Sequence, residues 1–385
     1  MSPRSKSEYV EAVHLRYKKA SRKERTIILN EFCATCGYNR KYAIRLLRGF
    51  KRFTKRKPRR RGKPSFYRNE AILTPLKQIW LTANLPCSKR LQAILPLWLP
   101  GYVQYVGELS AEVTDALLKI SPATIDRLLR PSRIHYQKRG YSTTKPGTLL
   151  RNQIPLQTNQ WNEARPGFIE ADTVAHCGDS LSGTFVYTID TVDIATGWTE
   201  QRAVWGKGET GVLHQLKDIE RALPFPLLGF DCDNGSEFLN HHLLRHFTQR
   251  EQPVKFTRSR PYHKDDNAHI EQKNWTHVRQ WLGYQRLDNA LIVPLLNNLY
   301  QREWRAFHNF FSPSVKLLDK QRIGSKTIKR HDTPKTPYQR IMDAPDIPLS
   351  TKADMAKYLE NLNPFLLKKA IEEKLKRIFS LISSG

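Results

Sequence analysis

The feature that most constrains this chain is the run of elements that begins after Pro166. Three stretches, GFIEADTVA, GTFVYTIDTVD and GWTEQRAVW, are rich in β-branched and aromatic residues and are parted by Gly-containing turns. They predict three antiparallel strands. The pattern then changes: Glu209 to Leu223 has helical spacing, LLGFDCD is a strand, Glu237 to Arg250 a helix, PVKFTRS a strand, and Asp266 to Gly283 a helix. An order of three strands followed by alternating helix and strand calls for a mixed sheet flanked by helices.

That order is the one found in the ribonuclease-H-like fold, and it assigns residues 165–288 to an α/β catalytic core. Three acids fall at special places in it. Asp172 interrupts the first strand where the apolar run would otherwise continue, and a carboxylate there is costly unless paired or metal-bound. Asp233 ends the fourth strand at DNGSEF, and Glu271 sits in the first half of the last core helix at NAHIEQKNW. In this fold the first and fourth strands are neighbours and the helix crosses their ends, so the three converge. Converging carboxylates repel, and a hard cation with oxygen ligands, Mg2+ or Mn2+, resolves the repulsion. Two ions about 3.5–4 Å apart would let one activate an attacking oxygen and the other stabilise a leaving one, which is phosphodiester chemistry. Asp231 competes for the second position, but Asp233 lies directly at the turn. Asp190 and Asp193 are read as turn residues near the end of the second strand, and Asp266 as a helix cap. His176 and His263 are read as surface or turn histidines able to touch DNA or relay protons.

Ahead of the core the spacing is helical. Residues 1–50 contain two short helices about Cys36-Gly37-Tyr38, with Asn39 as N-cap; the second helix buries Ala43, Ile44 and Leu47 and exposes Arg40, Lys41, Arg45 and Arg48. That polarity suits a helix-turn-helix whose second helix enters a major groove. Residues 67–130 form a second helical unit, ending in SPATIDRLLR, where Ile125, Leu128 and Leu129 make the buried stripe and Arg127 stands outside. Between them, in the arm 51–66, Lys51, Arg52, Lys55, Arg56, Arg59, Arg60 and Arg61 belong to a run of nine basic residues in thirteen. Like charges at that density repel unless neutralised, so the arm is expected along DNA phosphates. The charge is concentrated here: residues 1–63 hold 21 basic and 4 acidic side chains, in a chain of formal charge +28. A polyanionic partner follows. Residues 131–164 lose periodicity and read as a linker. Cys33 and Cys36 lack a histidine pair at zinc-ligand spacing and are read as core residues.

DTV at 172–174, DNGSEF at 233–238 and TRSRPYHKDDNAHIEQKN at 257–274 resemble the catalytic core of insertion-sequence transposases and retroviral integrases, the DDE recombinases. The likeness covers roughly residues 165–290, and more loosely the helical N-terminus and KLLDKQRIGSK at 316–326. It implies that Asp172, Asp233 and Glu271 are the catalytic triad, with Asn274 facing the active site or DNA and Lys273 nearby. Two departures stand: 37 residues separate Asp233 from Glu271, slightly more than is familiar in the family, and the His-His-Cys-Cys zinc module of retroviral integrases is missing.

The fold class expected is therefore multidomain: all-α helix-turn-helix N-terminal units, an α/β ribonuclease-H-like integrase core, and a basic, largely helical region at 289–385 with eight basic residues between Val315 and Arg340. The function expected is a DNA transposase that binds element ends, cleaves them and transfers 3′ hydroxyl ends to target DNA. Its partners would be double-stranded DNA, both terminal repeats and target, and further copies of itself on DNA. Two rivals are a sequence-specific regulator with an inactive core and a metal-dependent nuclease that does not join. No apolar run approaches the ~20 residues that span a bilayer, so no membrane partner and a cytoplasmic, nucleoid-associated location are expected.

Overall fold

The structure is a computed structural model that describes residues 1–49, 66–135, 163–233, 235, 237–258, 268–323 and 326–382. The arm residues Lys51, Arg52, Lys55, Arg56, Arg59, Arg60 and Arg61 lie outside the described residues, as do His263, Asp265 and Asp266. The chain divides into two units, Met1–Pro64 and Ser65–Gly385.

The first unit holds three helices, α1 (Pro3–Lys19), α2 (Arg22–Cys36) and α3 (Arg40–Arg48). Local chemistry sets their ends. Ser21 and Glu24 form a reciprocal capping box at the start of α2, Gly37 closes it with φ 67°, and the Asn39 side chain caps α3. Their shared core is built from Val10, Val13 and Tyr17 of α1, Ile28, Leu29 and Phe32 of α2, and Ala43 and Leu47 of α3. Ile44 and Cys33 are only partly buried against it, whereas Cys36 is inside. Arg40, Lys41, Arg45 and Arg48 are exposed on α3.

The second unit begins with a 3-10 turn at Phe66–Arg68 and four helices, α4 (Glu70–Thr82), α5 (Ser88–Tyr105), α6 (Ala111–Lys119) and α7 (Pro122–His135). A sheet follows: β1 (Phe168–Ala175), β2 (Val186–Asp193), β3 (Thr199–Trp205), then α8 (Glu209–Ala222), β4 (Gly229–Cys232), α9 (His241–Thr248) and β5 (Lys255–Arg258). The strand order is β3-β2-β1-β4-β5; β1, β2 and β3 pair antiparallel, while β4 joins β1 and β5 in parallel. Gly229 is required by packing, because a Cβ there would stand 2.4 Å from the Phe168 ring across the β1–β4 pair.

Next comes α10 (Ala268–Lys273), continued by a π-helical turn at Asn274–Arg279 and by α11 (Gln280–Leu282). A second interrupted helix runs through α12 (Ile292–Leu299), a π turn at Tyr300–Trp304 and α13 (Arg305–Phe311). The C-terminal region adds β6 (Leu317–Ile323), β7 (Lys326–His331), α14 (Pro337–Asp343), α15 (Leu349–Glu360) and α16 (Pro364–Phe379). The hairpin β6–β7 modifies the largely helical expectation for this region. Ile323, Thr327 and Ile328 flank Gly324-Ser325, a hairpin signal that the count of basic residues conceals.

Two apolar cores organise the unit. One lies between the sheet and α8 and α9, through Ile169, Phe230, Val212, Leu216 and Phe247. The other joins α4–α7 to the C-terminal helices: the Trp98 ring sits edge-on to Phe307, Phe311 and Phe365, and its Nε1–H donates to the Phe311 carbonyl at 3.1 Å. The helical stretch before the sheet and the helical stretch after it thus share one interior. Among the described residues no helix is long and apolar enough to cross a membrane.

Candidate active site

Strand period two puts Glu170 and Asp172 on the same face of β1. Buried Glu170 accepts the backbone N–H of Ile270 at 3.1 Å and so ties the first turn of α10 to the strand. One turn further on, Asn274 Nδ2 donates to Asp172 Oδ2 at 2.6 Å, while Asp172 Oδ1 accepts the N–H of Thr173 at 2.7 Å. The helix is therefore fastened to β1 at two points, and a π turn, a feature often found at functional sites, opens at Asn274.

The parallel register sets Ala171 beside Cys232, so the next residues along, Asp172 and Asp233, come together at the strand ends. Burial, and after it the Asp233 carboxylate, pushes Asp172 up to about 8. Asp233 is raised as well, first by burial and then by Glu237, against the opposing pull of the Gly235 N–H and Lys207. The DNG turn explains its glycine: a Cβ on Gly235 would stand 2.7 Å from Glu237 Oε2 and 2.9 Å from Asp233 Oδ1. Only hydrogen fits between those carboxylates.

Glu237 is a site residue that the sequence reading did not single out. It is buried; its Oε1 accepts from Thr173 Oγ1 and from Lys207 Nζ, both at 2.7 Å, and its Oε2 has no partner. Its place in DNGSEF, four residues after Asp233, was the available signal.

Asp172, Asp233 and Asn274 are thus brought together. Glu271 sits in the first turn of α10, three residues before Asn274 and hence on the same helical flank, with an exposed side chain. Among the described residues no three His, Cys, Asp or Glu side chains are gathered into a ready metal-ligand group. The donor set nevertheless suits a hard cation. Asp172 and Asp233 repel, and Glu237 Oε2 and Asn274 Oδ1 are buried oxygens without partners.

Several expectations need correction. Asp190 is no turn residue: it is buried in mid-strand opposite Asp172, receives a 2.7 Å hydrogen bond from Gln201 Nε2, and burial pushes it up to about 7. Asp193 does hold a turn, accepting from the Gly167 N–H and from the Thr196 N–H and hydroxyl. His176 is buried, 2.8 Å from Thr188 Oγ1, and burial holds it down to about 3, so it is a neutral interior histidine and neither a surface contact nor a proton relay. Lys273 also points inward: it is buried, with Nζ 3.4 Å from His277 Nε2. Asp231 receives the Thr257 hydroxyl at 2.6 Å, and it is Asp233 whose charge acts on Asp172. Arg127 is exposed on α7, its guanidinium folded back onto the Ala123 carbonyl and Thr124 hydroxyl of its own helix.

Comparison with known proteins gives one curated relative: the chain is 39% identical over 344 residues to the uncharacterized protein y4rM of Sinorhizobium fredii (strain NBRC 101917 / NGR234), covering 88% of this chain and 96% of that protein. No family model matches. Among solved structures, a chain of the simian T-cell lymphotropic virus intasome in complex with PP2A regulatory subunit B56 gamma aligns at TM-score 0.32 and 14% identity, covering 62% of this chain and 72% of that one.

Proposed function

This chain belongs to the family of the uncharacterized protein y4rM, and we propose that it is a DNA transposase with a ribonuclease-H-like core. The observation that carries the reading is the opposition of Asp172 and Asp233 at neighbouring strand ends, with Asp172 gripped by Asn274 from the helix that bears Glu271.

Asp172 and Asp233, with Glu271 as third ligand, would hold Mg2+ or Mn2+. Bound there, the metal supplies Lewis acidity and an activated oxygen nucleophile for phosphodiester displacement. The protein's own groups orient this set. Asn274 fixes one oxygen of Asp172, the Thr173 N–H fixes the other, and the Gly235 N–H holds Asp233 at 2.9 Å. Lys207 and Thr173 hold Glu237 beneath Asp233, so the turn keeps its shape when the carboxylates are charged.

In the reaction a water oxygen attacks the phosphorus at the element end, the P–O3′ bond breaks, and the 3′ oxygen leaves as a hydroxyl. That hydroxyl then attacks a target phosphodiester, so that one P–O bond forms as another breaks and no covalent protein–DNA intermediate is needed. Two ends must be handled together, which calls for at least two copies of the chain on DNA. The exposed cations of α3, the arm at 51–66 and exposed Arg127 would hold the duplex through its phosphates.

A strand-transfer assay with labelled element ends and Mg2+ or Mn2+ tests this. Cleaved and joined products are expected from the wild type and neither from Asp172→Asn, which should still shift DNA in a gel. Absence of cleavage by the wild type points to a DNA-binding regulator, and cleavage without joining to a nuclease.

A further inference from the structure

On the other flank of the helix that carries Glu271 and Asn274 lies a cleft of about 150 Å3 between the α4–α5 loop, the π turn and the end of α13. Its charged lining is cationic: Arg90 from α5 and Lys273 from α10 face it, together with His277 and His308, and no Asp or Glu lines it. Among the described residues Arg90 has neither a hydrogen bond nor an ion pair. His308 is 3% exposed, and both of its ring nitrogens lack partners. A buried imidazole with neither nitrogen satisfied is costly unless something outside the chain completes it.

Lys273 is buried, with its Nζ 3.4 Å from His277 Nε2. His277 and His308 stack with ring centroids 4.0 Å apart, and both are held well below the ordinary histidine range by burial. Arg340 is already occupied by Asp332 and the Ser314 carbonyl, and Lys368 lies 3.8 Å over the Trp281 ring. That placement covers Trp281 and disfavours a stacked base as occupant. The cleft has cationic donors without a carboxylate, room for a compact group, and a guanidinium at its side, which is the chemistry of phosphate recognition.

We propose that this cleft binds a phosphate group, seated by Arg90 and Lys273 with His308 as a further donor. The phosphate belongs either to a DNA strand passing behind the candidate active site or to a free phosphate or nucleotide. The site does not depend on strand cleavage, so it can be tested in Asp172→Asn protein as well as in the wild type, and its failure is separable from failure of the transposase reading.

The test uses the full chain. The Tm is followed as inorganic phosphate replaces chloride at constant ionic strength, and affinity for a short duplex is followed against salt. A phosphate-dependent rise in Tm that Arg90→Gln abolishes and Arg90→Lys partly keeps is expected. If the phosphate is DNA's own, Arg90→Gln also lowers the slope of log affinity against log salt by about 0.9, the value of one phosphate contact. If it is a free anion, that slope is unchanged. Should Arg90→Gln fold poorly, His308→Asn reports on the same cleft. No phosphate-dependent rise in the wild type, or a rise that survives both substitutions, together with an unaltered salt slope, overturns the proposal.

Discussion

One helix separates two environments of opposite character. Toward the sheet, Asn274 meets Asp172, which faces Asp233 with Glu237 nearby, and burial and the neighbouring carboxylates drive the two aspartates toward their protonated forms. Toward α5 and α13, Lys273, only one residue away, meets His277, His308 and Arg90, and burial drives Lys273 and the two histidines toward neutrality. Each flank is incomplete in a complementary way. The acidic flank calls for a cation and the basic flank for an anion, and a metal-dependent enzyme acting on a phosphodiester would be offered both.

The comparison breaks most visibly at the carboxylates. Asp172→Asn or Asp233→Asn is expected to lower strand cleavage about a thousandfold or more, because a metal's contribution of several kcal/mol is lost; near-normal rates in a single-turnover assay would contradict this. Asn274→Ala leaves the ligands in place but frees Asp172, and a loss of about 10–100-fold is expected, the range for residues that orient metal ligands. Its signature is a raised Mg2+ requirement, which a merely structural defect would not give.

The two flanks can also be separated by pH. Asp172 sits at about 8 against an ordinary 3.8, so the folded protein prefers the proton. The stability contributed by that preference is full below about pH 4 and is lost as pH rises toward 8. In chelator, the Tm of Asp172→Asn should therefore overtake that of the wild type across this window, and Mg2+ at pH 8 should narrow the gap. Parallel Tm curves for the two proteins would show that the carboxylate carries no such burden. The smallest effect belongs to the first unit: Arg45→Ala is expected to lower the salt slope of DNA binding by about 0.9 while leaving Mg2+ dependence untouched.

Much of the acidic flank was legible in the sequence because its determinants are local. Asp172 breaks an apolar strand, and Asp233 precedes a turn whose glycine is fixed by contact with the acids on either side. Strand alternation and turn chemistry are read over a few residues. The basic flank was not legible. Arg90 is distant in the chain from Lys273 and His308 and meets them only because Trp98 and Phe365 bring the early and late helices into one core. Nothing local marks Lys273 as buried, because its neighbours in sequence are polar. Asp190 was misread for a related reason: its role depends on register with Asp172 across β1 and β2, and not on the turn that follows it.

Anomalous diffraction from crystals of the full chain soaked in Mn2+ addresses the acids most directly. Manganese peaks bounded by oxygens of Asp172, Asp233 and Glu271, and lost in Asp172→Asn, are what this structure leads one to expect. A map with no manganese at Asp172 and Asp233, or with Glu271 turned away from ions bound there, would remove the basis for assigning metal-dependent strand transfer to this chain.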